Sequence, residues 1–517
     1  MKPLALVLIV ALFVLSSVVL LAPVPTTAQD AGTIRIGLDV DAGTADPRLA
    51  RDTSARRMID IVFDGLVYLD AELNPQPALA ESWQNPDPTT WIFTLRPGVS
   101  FHDGEALTAE DVVYTFETIL DETLAAPYRA LYTPIQSVTA VDAGTVEFTL
   151  NQPYAPFLSY MDMGIVPKHI AEDPNSDFGN KPVGTGPFAF VSWEKNNKIE
   201  FTANPDYWGG APALATVTYL IVPDNTVRAT AVETGDLDLI HSPLSPQDVE
   251  RLQTNGDLTV HTQTALGFTH LIFNTTDPTL GDVNVRRAIA HLVDKATIAE
   301  AIYQGMDTPG KSPLVPNTWW YTEATDQPFD PEAAATIFAE AGWTDSDGDG
   351  VLDKDGQKLS LVLKTHSEDP NRIQTIEYLQ AIFSEHGIEA TVETAEWPTF
   401  RDSVLNQDFQ IALLGWLGLV DPDRAMYNQF LCDGASNDGK YCNARVDELL
   451  QQGRETADPA ARKDLYAEAA QLVVDEVAYV VLLYQGYIVA MDKDVTGFEP
   501  HPSGSFRSLL TTSIGTD

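Results

Sequence analysis

Hydrophobic and polar residues alternate in short stretches along the chain, and between them apolar positions recur every three or four residues. Alternation predicts strands over residues 33–40 and 91–95. A helix is predicted to begin after Thr108, because acidic residues follow it directly and apolar positions then recur at helical spacing. Residues 138–150 fit a hairpin, since a short Asp-Ala-Gly turn separates two alternating stretches.

The later part of the chain carries longer helical patterns between strands. The predicted elements are a helix within 330–342, a strand over 358–364, a helix over 372–386, a strand over 388–394, a helix over 398–406, a strand over 409–414, and a helix over 458–481 that leads into a strand over 479–484. The alternation of strands and helices from residue 358 to 414 predicts a parallel or mixed sheet with helices on its faces. The fold class is therefore α/β.

One rule turns this order into an expected binding site. In open α/β sheets, ligands bind beyond the carboxyl ends of the strands. Residues that follow the strand ending at 414 are Gly415, Trp416 and Asp421, and residues that follow the strand ending at 364 are His366, Asn371 and Arg372. We expect these two loops to face the same crevice.

The first 28 residues have the pattern of a secretory signal peptide. Lys2 precedes an apolar run over residues 4–22, and small and polar residues follow as far as Ala28. The run is also long enough to cross a bilayer if it is not cleaved. We therefore expect residues 1–28 to export the chain to the periplasm or to the outer face of the cytoplasmic membrane, either released or tethered.

The two cysteines, Cys432 and Cys442, are ten residues apart. An exported chain meets an oxidising compartment, so we expect them to form a disulfide that closes a short loop. The alternative is a pair of unpaired buried thiols.

The charge balance narrows the range of partners. The chain has 31 Lys and Arg against 74 Asp and Glu, a formal net charge of −43. Such a surface repels phosphate backbones, so nucleic acid is excluded as a partner. Salt adaptation and plain solubility outside the cell both account for the acidity. Hydrophobic residues make up 44% of the chain, enough for a sizeable core.

Motifs for catalysis are missing from the sequence. There is no G-x-S-x-G, H-E-x-x-H or Walker pattern, and the nine histidines are scattered. Gly184-Thr185-Gly186 imitates a dinucleotide fingerprint, but Pro187 follows at once and the chain continues as a strand. We predict a protein that is not an enzyme. A hydrolase, the competing class, needs a nucleophile with its base or a paired acid, and neither is recognisable.

One acidic loop has the spacing of a calcium site. Asp345, Asp347, Asp349 and Asp353 fall at positions 1, 3, 5 and 9 of such a loop, with Gly at position 6. Position 12 is Gly356, so the bidentate Glu is missing. Either the loop binds a structural calcium ion, or it is a solvated turn before a hairpin. We expect no cofactor to be required.

Several aromatic residues fall in predicted loops or at strand ends. Trp319 and Trp320 follow a proline-rich stretch, Trp416 follows a strand, and Tyr128 follows a proline. Flat aromatic faces bind sugars, peptides and cations over a large area. Each of these side chains could equally cover the core.

Many ordered motifs resemble one family. They are Pro77-Ala78-Leu79-Ala80-Glu81-Ser82-Trp83, Trp91 to Val99, Phe101-His102-Asp103-Gly104, Leu107 to Val112, Pro182 to Phe188, Asn204-Pro205-Asp206-Tyr207-Trp208, Gly235-Asp236-Leu237-Asp238, Phe273-Asn274-Thr275, Val285 to Ala290, and Tyr441-Cys442-Asn443. With these motifs the chain resembles the family 5 extracytoplasmic solute-binding proteins of ABC importers, whose members bind dipeptides, oligopeptides or nickel. The match covers essentially all of the chain after the signal peptide.

The resemblance implies a periplasmic-binding-protein clamshell of two lobes, with an additional domain on the first. By analogy, lobe I comprises residues 31–59, 183–271 and 488–517, the additional domain 60–182, and lobe II 272–487. The family implies a monomer that captures a solute between the lobes, closes by a hinge and docks on permease subunits in the membrane.

The resemblance also implies site residues and leaves the solute open. Peptide binders of the family hold the α-amino group with an Asp whose position here is Gly418, and Asp421 has the alternative role of a turn cap. We expect a cleft lined by Trp416, Trp319, Trp320, Tyr128, Asn274, Arg372 and Asp421. Asn274 would imitate a backbone hydrogen bond, and Arg372 or Asp421 would complement solute charge, although Arg372 also suits a helix N-terminus. Peptides are the leading solute, an oligosaccharide or another organic solute is the alternative, and no histidine cluster supports nickel.

Overall fold

The structure is a computed structural model that describes residues 32–515, so the predicted signal peptide lies outside the described residues. Its strands are β1 Thr33–Leu38, β2 Val67–Leu69, β3 Pro75–Pro77, β4 Ala80–Asp87, β5 Thr90–Leu95, β6 Ile135–Asp142, β7 Thr145–Leu150, β8 Phe188–Glu194, β9 Lys198–Ala203, β10 Thr216–Ile221, β11 Leu239–His241, β12 Leu258–Phe273, β13 Thr308–Pro309, β14 Asp353–Lys354, β15 Gln357–Lys358, β16 Ser360–His366, β17 Glu389–Ala395, β18 Ile411–Leu417, β19 Tyr479–Asp492, β20 Val495–Thr496 and β21 Ser513–Ile514.

The α-helices of the same residues are α1 Thr53–Val62, α2 Ala109–Leu120, α3 Arg129–Tyr132, α4 Lys168–Ala171, α5 Asn225–Glu233, α6 Pro246–Thr254, α7 Val283–His291, α8 Lys295–Thr297, α9 Pro331–Glu340, α10 Pro370–Glu385, α11 Trp397–Leu405, α12 Pro422–Phe430, α13 Ala444–Glu455 and α14 Pro459–Asp475. No helix among residues 32–515 is both long and apolar enough to cross a membrane.

One large sheet runs through the molecule in the order β17-β16-β18-β12-β19-β11-β1-β10-β9-β8, with β13 paired to β19. At one end β16 lies parallel to both β17 and β18, as its βαβ sequence pattern predicts. At the other end β1 lies parallel to β10 and β11. We call the β1 end, with α1, α5 and α6, lobe I, and the β16–β18 end, with α7 to α14, lobe II.

The two lobes are joined by the long antiparallel strands β12 and β19. The first half of β12 pairs with the second half of β19, and the register then shifts between Thr264 and Phe268. Gly267 and Gly486 lie at this shift, where a Cβ on Gly267 would come within 2.5 Å of the Trp416 carbonyl oxygen and a Cβ on Gly486 would collide with the carbonyl of Met306. The crossing therefore requires residues without side chains.

A second, four-stranded sheet has the order β4-β5-β7-β6 and forms its own core with α2, α3 and the β2–β3 hairpin. Its centre is a group of aromatic rings, among them Phe93 and Phe148, whose centroids are 5.5 Å apart in an edge-on arrangement. We call this unit the additional domain. It is inserted between α1 and β8 of lobe I.

Local signals in the sequence explain several element ends. Thr108 and Asp111 form the capping box that starts α2. Asp330 caps α9 through the amide of Ala333, and Gly342 beyond its end has φ +88°. The prediction that a helix extends to residue 481 was wrong at its carboxyl end. The helix α14 ends at Asp475, and the apolar residues from Tyr479 onward pair with β12 as the start of β19.

The predicted disulfide between Cys432 and Cys442 is confirmed, with the two Sγ atoms 2.04 Å apart. It closes the loop between α12 and α13 in lobe II.

Candidate functional site

The loops after β16, β17 and β18 lie together at the carboxyl edge of lobe II, and we call the surface between them the crevice. His366 ends β16, and its Nε2 lies 3.0 Å from Nη1 of Arg372 in the first turn of α10. Trp397 begins α11 after β17, with its ring centroid 5.4 Å from that of His366. A Cβ built on Gly415 of β18 would lie 2.5 Å from Nη2 of Arg372, so the three loops lie side by side.

Charges of both signs surround the exposed ring of Trp397, which is 45% accessible. Glu368 accepts a hydrogen bond from the backbone N–H of Trp397 at 2.6 Å, and this bond lowers the pKa of the Glu368 carboxyl. Asp369 caps α10 and lies 3.3 Å from Nε of Arg372. The crevice thus offers a flat apolar surface beside a cation and two carboxylates.

A small cavity of about 70 Å³ lies where both lobes meet the additional domain. Lobe I supplies α1 and the segment over residues 501–507, the additional domain supplies Tyr68 and Asp162, and lobe II supplies Val420 from the loop after β18. The loop begins after Leu417, the last residue of β18, which is 65% exposed. The cavity and the crevice are therefore bordered by one loop.

The charged side chains of the cavity wall form ion pairs. Arg56 pairs with Asp162 and, at 3.3 Å, with Asp60. The attraction of Asp162 raises the pKa of the Arg56 guanidinium. Arg507 pairs at 3.0 Å with Asp64, which is fully buried. Asp60 and Asp162 thus share one guanidinium, and Arg507 is held by a carboxylate behind the wall.

Two rings complete the polar part of this wall. The Arg507 guanidinium lies 4.5 Å from the ring centroid of Tyr68. The ring nitrogens of His501 contact the Ser503 hydroxyl and the backbone carbonyl of Asp70. Burial lowers the pKa of His501, so this ring is neutral at physiological pH and adds no positive charge.

Comparison with known proteins identifies this two-lobed arrangement. Residues 74–438 match the model of the bacterial extracellular solute-binding proteins, family 5 Middle. The chain belongs to family 5 of the bacterial extracellular solute-binding proteins. The resemblance and the α/β clamshell expected from the sequence are thereby confirmed, and the role of this family is solute binding.

Three similar proteins illustrate the family 5 match. The chain is 34% identical to protein XP55 of Streptomyces lividans, over 90% of this chain and 85% of that protein. It is 29% identical to the dipeptide-binding protein of Escherichia coli, over 83% and 84%. The solved structure of the oligopeptide-binding protein AppA from Bacillus subtilis with a nonapeptide matches with a TM-score of 0.76 and 27% identity, covering 94% of this chain and 99% of AppA.

The aromatic residues that the sequence singled out occupy different positions in this family 5 fold. Trp416 is half-buried at the end of β18, and Trp319 is half-buried with the Arg462 guanidinium 5.5 Å from its ring. Trp320 is completely buried in the core of lobe II. Tyr128 is 39% exposed on the additional domain.

The polar candidates are mostly bonded within the protein. Nδ2 of Asn274 donates to the carbonyls of Gln407 and Phe409. Asp421 is fully buried, caps α12 and pairs with Arg462 at 2.7 Å. Among the charged candidates, Arg372 lies at the crevice.

The acidic loop forms a compact group. The carboxylates of Asp345, Asp347 and Asp349 offer oxygens within 4.8 Å of one another. Asp353, the fourth residue of the expected set, accepts hydrogen bonds from the Ser346 side chain and backbone instead. The Lys358 ammonium pairs with Asp349.

Two parts of the site were missed by the sequence reasoning. Trp397 comes three residues after the end of the strand predicted over 388–394, so the rule that placed Trp416 at a strand end also applies to it. Arg56 and Asp162 are more than 100 residues apart, and no local pattern indicates that they meet. Only the packing of the additional domain against α1 brings them together.

Proposed function

We propose that this chain is the receptor of an ABC importer, which captures di- or oligopeptides between its lobes and hands them unchanged to a membrane permease. The observation that carries the proposal is the cavity to which lobe I, lobe II and the additional domain all contribute. A site divided among three units can enclose a solute when the lobes close and release it when they open.

Peptides fit the chemistry of the two regions. A peptide with free termini carries one ammonium and one carboxylate, which match the two carboxylates that share Arg56 and the cation of Arg372. Trp397 and Trp416 offer apolar faces to side chains. Among the similar proteins, one is named for dipeptides and one was solved with a nonapeptide.

The remaining predicted residues take supporting roles in this proposal. Trp319 and Trp320 stabilise the core of lobe II, and Asn274 stabilises the amino end of β18, while Asp421 orders the loop that reaches the cavity. Tyr128 lies on the facing surface of the additional domain. Solute contact is assigned to Trp416, Trp397, Arg372 and Asp162.

Movement is proposed to occur at the crossing of β12 and β19. The register shift between Thr264 and Phe268 separates the part of β12 that pairs within lobe I from the part that pairs with β18. The shift lies close to the expected border between residues 183–271 of lobe I and residues 272–487 of lobe II. In the proposed division, residues 31–59 and 488–517 complete lobe I, and residues 60–182 form the additional domain. The proposed hinge consists of the two strands β12 and β19.

The proposed setting is the exterior of the cytoplasmic membrane, where the disulfide is stable. The partners there are permease subunits, and the receptor acts as a monomer. A calcium ion in the loop of Asp345, Asp347 and Asp349 is a proposed structural addition that has no part in solute binding.

Thermal unfolding with solute mixtures tests the peptide assignment. A ligand that binds only the folded state raises the melting temperature by mass action. We expect mixtures of di- to octapeptides to raise it and a matched mixture of oligosaccharides to leave it unchanged. A shift with the sugars alone would contradict the peptide assignment while leaving the receptor role intact.

A further inference from the structure

The β2–β3 hairpin of the additional domain reaches into lobe II. Leu73, at the tip of this hairpin, is completely buried. It belongs to the apolar core of lobe II that also contains Trp320 and Met426. In the opposite direction, Val420 of lobe II packs against the core of the additional domain. The two units therefore exchange apolar side chains.

A buried polar contact accompanies this exchange. The Ser159 hydroxyl, from the additional domain, donates to Asp421 of lobe II at 3.1 Å. Asp421 is held in place by two bonds from Arg462, at 2.7 and 3.1 Å. A hydroxyl that reaches a buried carboxylate has a fixed geometry, so the contact forms only when the two units are docked.

Cation–aromatic contacts border the same interface. The Arg454 guanidinium of α13 lies 5.4 Å from the ring centroid of Tyr154 and is aligned by two bonds to Asp423, at 2.8 and 2.7 Å. Arg424 of α12 lies 5.6 Å from the ring centroid of Tyr128. Each guanidinium comes from lobe II and each ring from the additional domain.

Of these side chains, Val420 borders the solute cavity, and Leu73, Ser159, Tyr154 and Tyr128 do not. We propose that these four residues and their lobe II partners form a clasp, which holds the lobes closed without any contribution from the solute. The measured affinity of such a receptor is its intrinsic affinity multiplied by the fraction of molecules that are already closed. The clasp therefore sets the strength of binding for all solutes, whereas the crevice sets their ranking.

The variant Leu73→Ala tests the clasp, with Val141→Ala on the exposed surface of the additional domain as its control. Small-angle X-ray scattering of the protein without solute should show a larger radius of gyration for Leu73→Ala than for the wild type and the control. Dissociation constants for dialanine, trialanine and tetra-alanine should all rise about tenfold, with their order preserved. Trp397→Ala, by contrast, should change their order.

An unchanged radius of gyration in Leu73→Ala, or a loss of affinity confined to some of the peptides, would overturn the clasp. If Leu73→Ala unfolds, the double variant Ser159→Ala with Tyr128→Ala, which removes fewer apolar atoms from the core, replaces it. An unchanged radius of gyration, or a loss of affinity for only some of the peptides, would overturn the clasp in that variant as well. The inference rests on solute capture, but the scattering comparison needs no solute. A failure of all three peptides to bind would therefore contradict the proposed peptide function and leave the clasp to be judged by scattering.

Discussion

At the scale of single residues, the proposed ammonium site depends on two carboxylates that share one guanidinium in the cavity wall. Asp60 and Asp162 share one guanidinium, that of Arg56, while Arg507 is engaged by the buried Asp64. A cationic group on the solute would complete the balance. Asp162 of the additional domain would thus bind the ammonium group of the solute. Gly418 of lobe II, at the position of the family's Asp, has no carboxylate to do so.

The variant Asp162→Asn tests this assignment. We expect the dissociation constant of dialanine to rise about tenfold, because one charge-assisted bond to its α-amino group is lost. N-acetyl-dialanine, which has no ammonium, should bind the variant and the wild type alike. The exposed Asp177→Asn serves as the control, and equal losses for the two peptides in isothermal titration calorimetry would contradict the assignment.

The acidic loop in lobe II gives a second test at this scale. Three carboxylates within 4.8 Å repel one another unless a cation lies between them. If the loop binds calcium, millimolar calcium should raise the melting temperature of the wild type but not of the double variant Asp347→Asn with Asp349→Asn. Equal shifts in both proteins would show that calcium acts elsewhere, and no shift would favour a plain turn.

At the scale of elements, Asp307 links a loop of lobe II to the hinge. Its carboxylate accepts the backbone N–H of Gly486 in β19 at 2.9 Å. Burial raises the pKa of Asp307 to about 6, with Asp369 raising it further and Arg372 opposing the shift. A carboxyl whose pKa is raised on folding stabilises the protein below its unfolded pKa, and this stabilisation is lost as pH rises through 6.

The variant Asp307→Asn should remove this pH dependence. At pH 7.5 the neutral amide avoids the buried charge, so we expect the variant to be more stable than the wild type by about 1–2 kcal/mol. Below pH 4 the difference should vanish, because the wild-type carboxyl is then protonated as well. Chemical unfolding at both pH values measures the difference in the free energy of unfolding between the variant and the wild type. The same difference at both pH values would show that Asp307 does not titrate in this way.

Elements with complete local signals could be predicted from sequence, and those shaped by distant contacts could not. The start of α2 at Thr108 and the end of α9 before Gly342 depend on caps that are read from a few neighbouring residues. The strand β19, by contrast, extends to Asp492, well beyond the apolar run that ends at Tyr484. Its second half is a strand because β12 and β11 pair with it.

The same distinction applies to the candidate site. Strand ends place Trp416 and Arg372 near the crevice, since the carboxyl-edge rule needs only the order of elements. Asn274 and Asp421 carry suitable chemistry, but their partners Phe409 and Arg462 are remote in sequence, and only the fold shows that these groups are already bonded. The cavity charges are likewise a product of tertiary packing.

At the scale of the whole molecule, one sheet spans both lobes, and the additional domain borders a cavity shared with them. Two strands, β12 and β19, connect the halves, and the proposed movement of one lobe against the other takes place at their glycines. In the proposed function, capture requires this movement and no chemical step.

Native mass spectrometry of the protein, recorded directly after incubation with a defined peptide mixture, tests this claim most directly. We expect a complex of one protein with one peptide, from which the peptide is released with its original mass. Absence of any complex, or release of a cleaved or modified peptide, would contradict the account.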